Sequence, residues 1–266
     1  MTAPSCVCLD LDGVVWRGDE VVPGSPEAIE ELRRTGLRVG YLSNNSSLRV
    51  AEVVAKLERM GVEAPPEDVL TSALAAADLL SATLTPGARV LSCAGPGVVE
   101  AVTQAGFTIV DAPPADAVVV GFHRTFDFDE LDRASQAIRQ GARFVATNLD
   151  STYPIPGGLL PGAGSIAAAV ATASGTAPEV AGKPAPPAAA MVRRRLGTRG
   201  VVVGDRPSTD GALAQLLGWP FALVLSGVTS RVPTPGGEAV PNPPPPFVGD
   251  DLAALVPALV AALHAG

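Results

Sequence analysis

Short β-branched runs alternate with helical segments along most of this chain. The alternation is typical of βα units, which build a parallel sheet covered by helices. Its 266 residues, 47% of them hydrophobic, are enough to bury a substantial core. The pattern predicts an α/β fold with a Rossmann-like, doubly wound parallel sheet. The expected strands are 7–11, 37–43, 88–93, 108–110, 117–122, 143–147, 200–204 and 221–225, with helices near 25–36, 48–60, 96–105, 128–140, 163–174, 186–196, 209–217 and 251–263.

Charge argues against two classes of partner. The formal net charge is -8, and the longest basic run is the three residues 193–195. A surface of that sign repels nucleic acids and anionic lipids, so we expect no nucleic-acid partner. Two long uncharged stretches, 151–178 and 211–230, are interrupted by proline and glycine. Neither provides the roughly 20 apolar residues of a spanning helix, so we expect no membrane span.

The three cysteines do not form a disulfide framework. Cys6 and Cys8 lie two apart in an expected strand, where a disulfide is sterically poor, and no histidine lies near them to complete a zinc site. The N-terminal residues lack the basic region of a signal peptide. We therefore expect a reduced, cytoplasmic protein.

Four polar clusters lie where the expected fold brings strand ends together. The carboxyl ends of parallel strands meet at one sheet edge, and ligands bind there. Three clusters follow strands and one precedes a helix. They are Asp10-Leu11-Asp12-Gly13, Ser43-Asn44-Asn45-Ser46, Gly204-Asp205-Arg206-Pro207-Ser208-Thr209-Asp210 and Gly182-Lys183-Pro184.

The carboxylates of these clusters predict a metal site. Asp10, Asp12, Asp205 and Asp210 would repel one another at one edge unless a cation joined them. Oxygen ligands without histidine or cysteine favour Mg²⁺ over zinc. An aspartate beside Mg²⁺ can serve as a nucleophile toward phosphorus, and Lys183 is a suitable donor to the phosphate oxygens.

Each cluster alone has a simpler interpretation. An aspartate at a strand end is frequently a turn or cap residue, the Ser43 segment alone is more often a loop, and Lys183 alone would be an ordinary surface lysine. Asp205 and Asp210 could simply cap the helix near 209. The occurrence of all four clusters at the same sheet edge is what favours a functional site.

Together these motifs resemble those of the haloacid dehalogenase superfamily, and most closely its branch of 4-nitrophenylphosphatases, phosphoglycolate phosphatases and NagD-type nucleotide phosphatases. The resemblance covers about residues 5–232. Further motifs that carry it are Trp16-Arg17-Gly18, Ala146-Thr147-Asn148-Leu149-Asp150, Pro161-Gly162-Ala163-Gly164 and Leu225-Ser226-Gly227-Val228-Thr229-Ser230.

The resemblance implies catalytic roles. Asp10 would be the nucleophile that becomes phosphorylated, and Asp12 would protonate the leaving oxygen and then activate water. Ser43 would hydrogen-bond the transferring phosphoryl group with Asn44 beside it, and Lys183 would neutralise its charge.

The family resemblance also implies which residues would bind the metal. Mg²⁺ would be held by the Asp10 carboxylate, the Asp12 backbone carbonyl and Asp205, with Asp210 binding directly or through water. By analogy, residues 13–24 would form a mobile hairpin beside the nucleophile.

An inserted domain is expected between the motifs. Ser43 and Lys183 are 140 residues apart, far more than one crossover needs. We expect a discontinuous core of residues 1–74 and 180–266 and an inserted α/β cap of residues 75–179, which in the family covers the site and selects substrate. Asn148 and Asp150 would face the substrate from a cap loop, although a plain turn is an equal alternative, and His123-Arg124 is interpreted as a surface loop.

The sequence thus predicts a Mg²⁺-dependent phosphatase that hydrolyses a small phosphorylated metabolite through an aspartyl phosphate. A phosphotransferase or phosphomutase of the same fold is the main alternative. A catalytically silent, phosphate-binding regulatory protein or a scaffold is a weaker one, because Asp10 and Asp12 are both present. A homodimer formed through the cap would be consistent with the family.

Overall fold

The computed structural model describes residues 5–155, 158–231 and 237–264. The helices are α1 Ser25–Arg34, α2 Val50–Arg59, α3 Ser72–Ser81, α4 Pro96–Gln104, α5 Phe128–Arg139, α6 Ala163–Ser174, α7 Pro186–Leu196, α8 Ala212–Leu217 and α9 Leu252–His264. The strands are β1 Cys6–Leu9, β2 Trp16–Arg17, β3 Glu20–Val21, β4 Arg38–Ser43, β5 Val69–Thr71, β6 Arg89–Cys93, β7 Thr108–Val110, β8 Ala117–Val120, β9 Arg143–Ala146, β10 Thr152–Ile155, β11 Gly158–Pro161, β12 Glu179–Val180, β13 Gly200–Gly204, β14 Phe221–Val224, β15 Thr229–Ser230, β16 Glu238–Ala239 and β17 Phe247–Gly249.

The chain divides into two compact units. The first unit contains Met1–Ser43, Val53–Leu70 and Ala189–Gly266, and the second contains Asn44–Glu52 and Thr71–Ala188. The limits of an inserted cap at residues 75 and 179 stay a prediction.

The first unit is built on a six-stranded sheet with the order β17-β14-β13-β1-β4-β5. β1 lies in the middle and pairs in parallel with both β4 and β13. From β1 the chain winds outward through β4 to β5, and later through β13 and β14 to β17 in the other direction. This is the doubly wound topology that the sequence predicts, and its switch point lies where β1 meets β13.

Burial explains the composition of the central strands. Every residue of β1 and β13 is buried, as expected for strands covered on both faces. The helix α1 begins with Pro26 in its first turn, ends with Arg33 and Arg34 in its last turn, and packs against α9.

The second unit has its own five-stranded parallel sheet, with the order β12-β9-β8-β6-β7. The helices α3 and α4 pack together, and so do α5 and α6. One core cluster joins the sheet to α5 and α6 through Val118, Phe144, Ile138 and Ile166. The chain reverses its winding direction between β6 and β8, which gives this sheet a switch point of its own.

The main strands and helices expected from sequence are confirmed, with short shifts at their ends. The segment expected as a helix near 209–217 contains a π-helical turn over Pro207–Gly211, followed by α8. The helix α3 was not expected from sequence. Alanine and leucine occupy most of its positions and most of its residues are buried, so it lacks a single apolar stripe. Among the described residues, none of the helices has the length and apolar character required to cross a membrane.

Residues 13–24, expected as a hairpin, contain the short antiparallel pair β2–β3. Other short pairs, β10–β11 and β15–β16, were missed because two to four residues carry too little periodicity to recognise.

Candidate active site

Three predicted metal ligands lie together in the first unit. Asp10 follows β1 and Asp205 follows β13. Asp210 lies a little further along the chain, in the π-helical segment Pro207–Gly211. One carboxylate oxygen from each lies within 4.8 Å of the others. Asp210 is fully buried, whereas Asp205 is 2% and Asp10 9% exposed. Charges this close and this buried favour occupation by a cation.

The sheet register brings Asp10 and Asp205 together. Leu9 pairs with Val203 in the parallel β1–β13 ladder, and the Asp10 backbone N–H donates to the Val203 carbonyl at 2.8 Å. Both carboxylates therefore emerge at the switch point of the sheet, where open α/β folds bind ligands.

Backbone groups fix the orientation of Asp205. The Val228 N–H donates to Asp205 Oδ2 at 2.6 Å, and the Thr229 hydroxyl donates to the Asp205 carbonyl oxygen. A Cβ on Gly227 would collide with the Asp205 carboxylate, so only glycine permits this close approach. Residues 225–230 contributed to the family resemblance but had no assigned role. In the structure, Val228 and Thr229 of this segment hold Asp205 in place through hydrogen bonds.

Asp210 is held by a local turn. The Arg206 N–H donates to Asp210 Oδ2 at 3.1 Å, and the Asp210 N–H donates to the Arg206 carbonyl at 2.8 Å. This turn belongs to the π-helical segment Pro207–Gly211, a form that occurs frequently at functional sites.

The Asp12 side chain contacts the indole of Trp16. It is partly buried, and Oδ1 accepts a hydrogen bond from Trp16 Nε1 at 2.9 Å. Lys56 lies over the Trp16 ring, with its Nζ 4.5 Å from the ring centroid. The predicted metal contact of Asp12 uses its backbone carbonyl, and that contact stays a prediction.

Ser43 is the last residue of β4 and is 3% exposed. Because β4 pairs with β1, Ser43 lies at the same sheet edge as Asp10. This placement agrees with the expected convergence of strand ends.

The remaining predicted site residues form a network within the second unit. Asn44 Oδ1 accepts from the Lys183 N–H at 2.8 Å, and Asn44 Nδ2 donates to the Lys183 carbonyl at 3.1 Å and to Asp150 Oδ2 at 3.1 Å. Asn148 Nδ2 donates to the Asn44 carbonyl at 2.8 Å, while Asn148 Oδ1 accepts from the Asp150 N–H at 3.0 Å. The side chain of Asn44 thus fixes the backbone at Lys183.

Lys183 is buried and follows an edge strand of the second sheet. This residue is 4% exposed, and the backbone before it continues the β12–β9 ladder through Ala181 and Gly182. The Ser72 hydroxyl donates to the Asn44 carbonyl at 2.6 Å. Ser72 was not predicted from sequence because it begins the unrecognised helix α3.

Two family models match the chain. One, described as haloacid dehalogenase-like hydrolase, matches residues 7–108, and the other, described as HAD-hydrolase-like, matches residues 180–255.

Curated relatives extend the similarity over most of the chain. It is 41% identical over 255 residues to a D-glycerol 3-phosphate phosphatase of Mycobacterium tuberculosis, covering 94% of this chain and 70% of the relative. It is 35% identical over 225 residues to an acid sugar phosphatase of Staphylococcus aureus, covering 84% of this chain and 86% of the relative.

A solved structure agrees with these matches. The glycerol phosphate phosphatase of Mycobacterium tuberculosis in complex with magnesium superposes with a TM-score of 0.84 at 39% identity, covering 95% of this chain and 77% of that chain. From its sequence, fold and relatives, the chain belongs to the haloacid dehalogenase-like hydrolase family and is a phosphatase.

Proposed function

We propose that this phosphatase hydrolyses a small phosphomonoester by transferring the phosphoryl group to Asp10, with Mg²⁺ held by Asp10, Asp205 and Asp210. The observation that carries the proposal is the cluster of three carboxylates at the switch point of the first sheet, with oxygens within 4.8 Å of one another. The donor set fits Mg²⁺, which binds through oxygen.

Mg²⁺ supplies charge neutralisation on the phosphate oxygens when bound. The Asp12 backbone carbonyl is proposed as a further ligand, as the family resemblance implies. A relative solved with magnesium supports this choice of cation.

The reaction divides into two steps between Asp10 and Asp12. In the first, an Asp10 carboxylate oxygen attacks phosphorus, the ester bond breaks, and the Asp12 carboxyl gives its proton to the leaving oxygen. In the second, Asp12 takes a proton from water, whose oxygen attacks phosphorus and releases inorganic phosphate and the Asp10 carboxylate. The partial exposure of Asp12 and its bond to Trp16 suit a group that exchanges protons.

Five residues are proposed to bind substrate. The Ser43 hydroxyl and the Asn44 backbone N–H would donate to the phosphoryl oxygens, and Lys183 would supply positive charge. The adjacent Asn148 and Asp150 would contact the part of the substrate beyond the phosphate. The hydrogen bonds of Asn44 to Lys183 and Asp150 support a common function for these groups.

The relatives suggest which substrates to test first. One is a D-glycerol 3-phosphate phosphatase and another an acid sugar phosphatase, so small polyol and sugar phosphates head the panel. Phosphate release should be measured over such a panel with and without Mg²⁺. An added alcohol acceptor that gains phosphate in place of water would instead indicate the phosphotransferase alternative.

The central experiment replaces the nucleophile. Asp10→Asn should lower Mg²⁺-dependent hydrolysis of 4-nitrophenyl phosphate by about a thousandfold or more, because the amide is a poor nucleophile. Asp111→Asn, at an exposed loop position, is the matched control and should keep full activity. Circular dichroism checks that both variants fold, and normal turnover by folded Asp10→Asn would refute the nucleophile assignment.

We also propose a homodimer that forms through the second unit. Among the described residues of this unit, the most exposed large apolar side chains are Phe128 (78%), Leu149 (53%) and Leu159 (56%). Light scattering should give twice the chain mass, and Leu159→Glu should shift it toward the monomer. A monomeric wild type would refute the dimer.

A cytoplasmic location is proposed from cysteine chemistry. Cys6, Cys8 and Cys93 are all buried and form no disulfide, which suits a reducing compartment. Cell fractionation should recover the protein with cytoplasmic markers, and recovery with secreted or envelope proteins would contradict the proposal.

A further inference from the structure

The second unit contains a cluster of three different metal-ligating side chains. Cys93 ends β6, His123 lies in the loop after β8, and Glu130 lies in the first turn of α5. A sulfur, a ring nitrogen and a carboxylate oxygen from these residues lie within 4.8 Å of one another. None of the three belongs to the phosphatase site proposed above.

The cluster occupies the position in the sheet where ligands bind. β6 and β8 are neighbouring parallel strands, with Cys93 opposite Val120. The chain winds from β6 to β7 on one side and from β8 to β9 and β12 on the other, so the cluster lies at the switch point of this sheet. Open α/β sheets place their ligands at that point, beyond the carboxyl ends of the strands.

His123 is oriented toward this point with one nitrogen available. Its side chain is 8% exposed, so the loop expected at the surface in fact buries its imidazole. Nδ1 lies 3.3 Å from the Thr125 hydroxyl oxygen, and the ring packs edge-on against Phe126. Nε2 is buried and has no hydrogen-bond partner among the described residues, and it lies 3.5 Å from Glu130 Oε2.

This arrangement matches the environment of a metal-binding histidine. If Nδ1–H donates to Thr125, Nε2 presents its lone pair to the cluster, and such a second bond is what orients metal-bound histidines.

Cys93 and Glu130 complete the set from rigid elements. Cys93 is fully buried, and the Glu130 side chain is 16% exposed. The Glu130 backbone N–H donates to the Asp127 side chain at 2.8 Å, which fixes the start of α5. The ligands therefore come from a strand end, a packed loop and a capped helix.

We propose that Cys93, His123 and Glu130 form a Zn²⁺ site in the second unit, separate from the cluster of three aspartates. Thiolate and imidazole are ligands for zinc, whereas Mg²⁺ prefers oxygen. Three protein ligands leave a fourth position for water. On binding, the Cys93 thiol releases its proton to solvent and the sulfur takes the metal, so zinc joins β6, the loop after β8 and α5.

Cobalt is the probe, because a thiolate bound to Co²⁺ gives a charge-transfer band in the near ultraviolet. The whole protein is dialysed free of metal, saturated with Mg²⁺ to fill the aspartate cluster, and titrated with Co²⁺. One Co²⁺ per chain with the charge-transfer band is expected, and stoichiometric Zn²⁺ should displace it. Zn²⁺ should also raise the melting temperature, since it binds only the folded chain.

Matched variants locate the bound ion. Cys93→Ser should abolish the charge-transfer band, and His123→Gln and Glu130→Gln should each weaken binding at least about tenfold. The controls His264→Gln and Asp129→Asn, at exposed positions, should bind Co²⁺ like the wild type. Absence of the band from folded wild type, a band that survives Cys93→Ser, or wild-type Co²⁺ affinity in His123→Gln would overturn the proposal.

Discussion

At the scale of single residues, Asp205 illustrates how a buried carboxylate depends on its backbone neighbours. It accepts a hydrogen bond from the Val228 N–H, and its carboxylate packs directly against Gly227. A segment with no titratable group therefore determines where a metal ligand points. Residues 225–230 should tolerate little change, although none of them is itself proposed as a ligand.

A methyl group at Gly227 tests this dependence. Gly227→Ala places a Cβ on the Asp205 carboxylate and should displace it, which lowers Mg²⁺ affinity and destabilises the fold by about 1–3 kcal/mol. The Mg²⁺ dependence of hydrolysis and urea unfolding measure the two effects. Gly158→Ala, where the added Cβ meets open space, is the control. An unchanged Mg²⁺ requirement in Gly227→Ala would contradict the positioning role.

Trp16 is expected to act on the reaction through Asp12. Trp16→Phe keeps a buried aromatic ring but removes the indole N–H that donates to the Asp12 carboxylate. We therefore expect kcat to fall about tenfold with little change in KM. Trp219→Phe is the matched control, because its Nε1 donates to the Thr198 carbonyl instead. The pH profile of kcat should shift in Trp16→Phe alone. Equal losses in the two variants would show a packing effect only.

At the scale of secondary-structure elements, the sequence predicted what depends on local pattern. The buried β-branched runs of β1, β13 and β8 identified the strands, and parallel strand ends then brought Asp10 near Asp205. The cluster of Cys93, His123 and Glu130 could not be predicted this way. Its formation depends on β6 and β8 being neighbours in the second sheet, which no local pattern encodes.

The edge strand β12 leads the chain to Lys183 and is fixed by an ion pair. Arg143 contacts both carboxylate oxygens of Glu179, at 2.6 Å and 2.7 Å, and joins the first residues of β9 and β12. The side-chain hydrogen bond from Arg143 lowers the pKa of Glu179. The ion pair therefore stabilises the fold at pH values above the ordinary glutamate pKa. This stabilisation is lost as the pH falls through the lowered pKa of Glu179.

Glu179→Gln should accordingly reduce the free energy of unfolding at pH 7 by about 0.5–1 kcal/mol, the range for an exposed pair. The difference from wild type should shrink toward zero at a pH below the lowered pKa of Glu179, where the wild-type carboxyl is protonated. Urea unfolding at both pH values measures it. Glu67→Gln, at an exposed position, is the control. A difference that stays constant with pH would exclude the ion pair as its cause.

At the scale of the whole molecule, the relatives agree with the reaction class that the motifs implied. The proposed chemistry rests on groups that each unit holds internally: three aspartates in the first and the Asn44–Lys183 network in the second. The net charge of -8 describes the surface as a whole. A cation bound by the three aspartates, together with the positive charge of Lys183, would allow an acidic protein to bind an anionic substrate.

Trapping the phosphorylated enzyme tests the central claim most directly. Asp12→Asn should slow hydrolysis of the intermediate, since it removes the group that activates water. The substrate is 4-nitrophenyl phosphate, because nitrophenolate leaves without needing a proton from Asp12 and Asp10 is still phosphorylated. After acid quenching in the presence of Mg²⁺ and substrate, mass spectrometry of Asp12→Asn should find one phosphoryl group on the peptide that contains Asp10. The double variant Asp10→Asn/Asp12→Asn should carry none. A phosphoryl group on any other residue, or equal labelling of the single and double variants, would contradict the account.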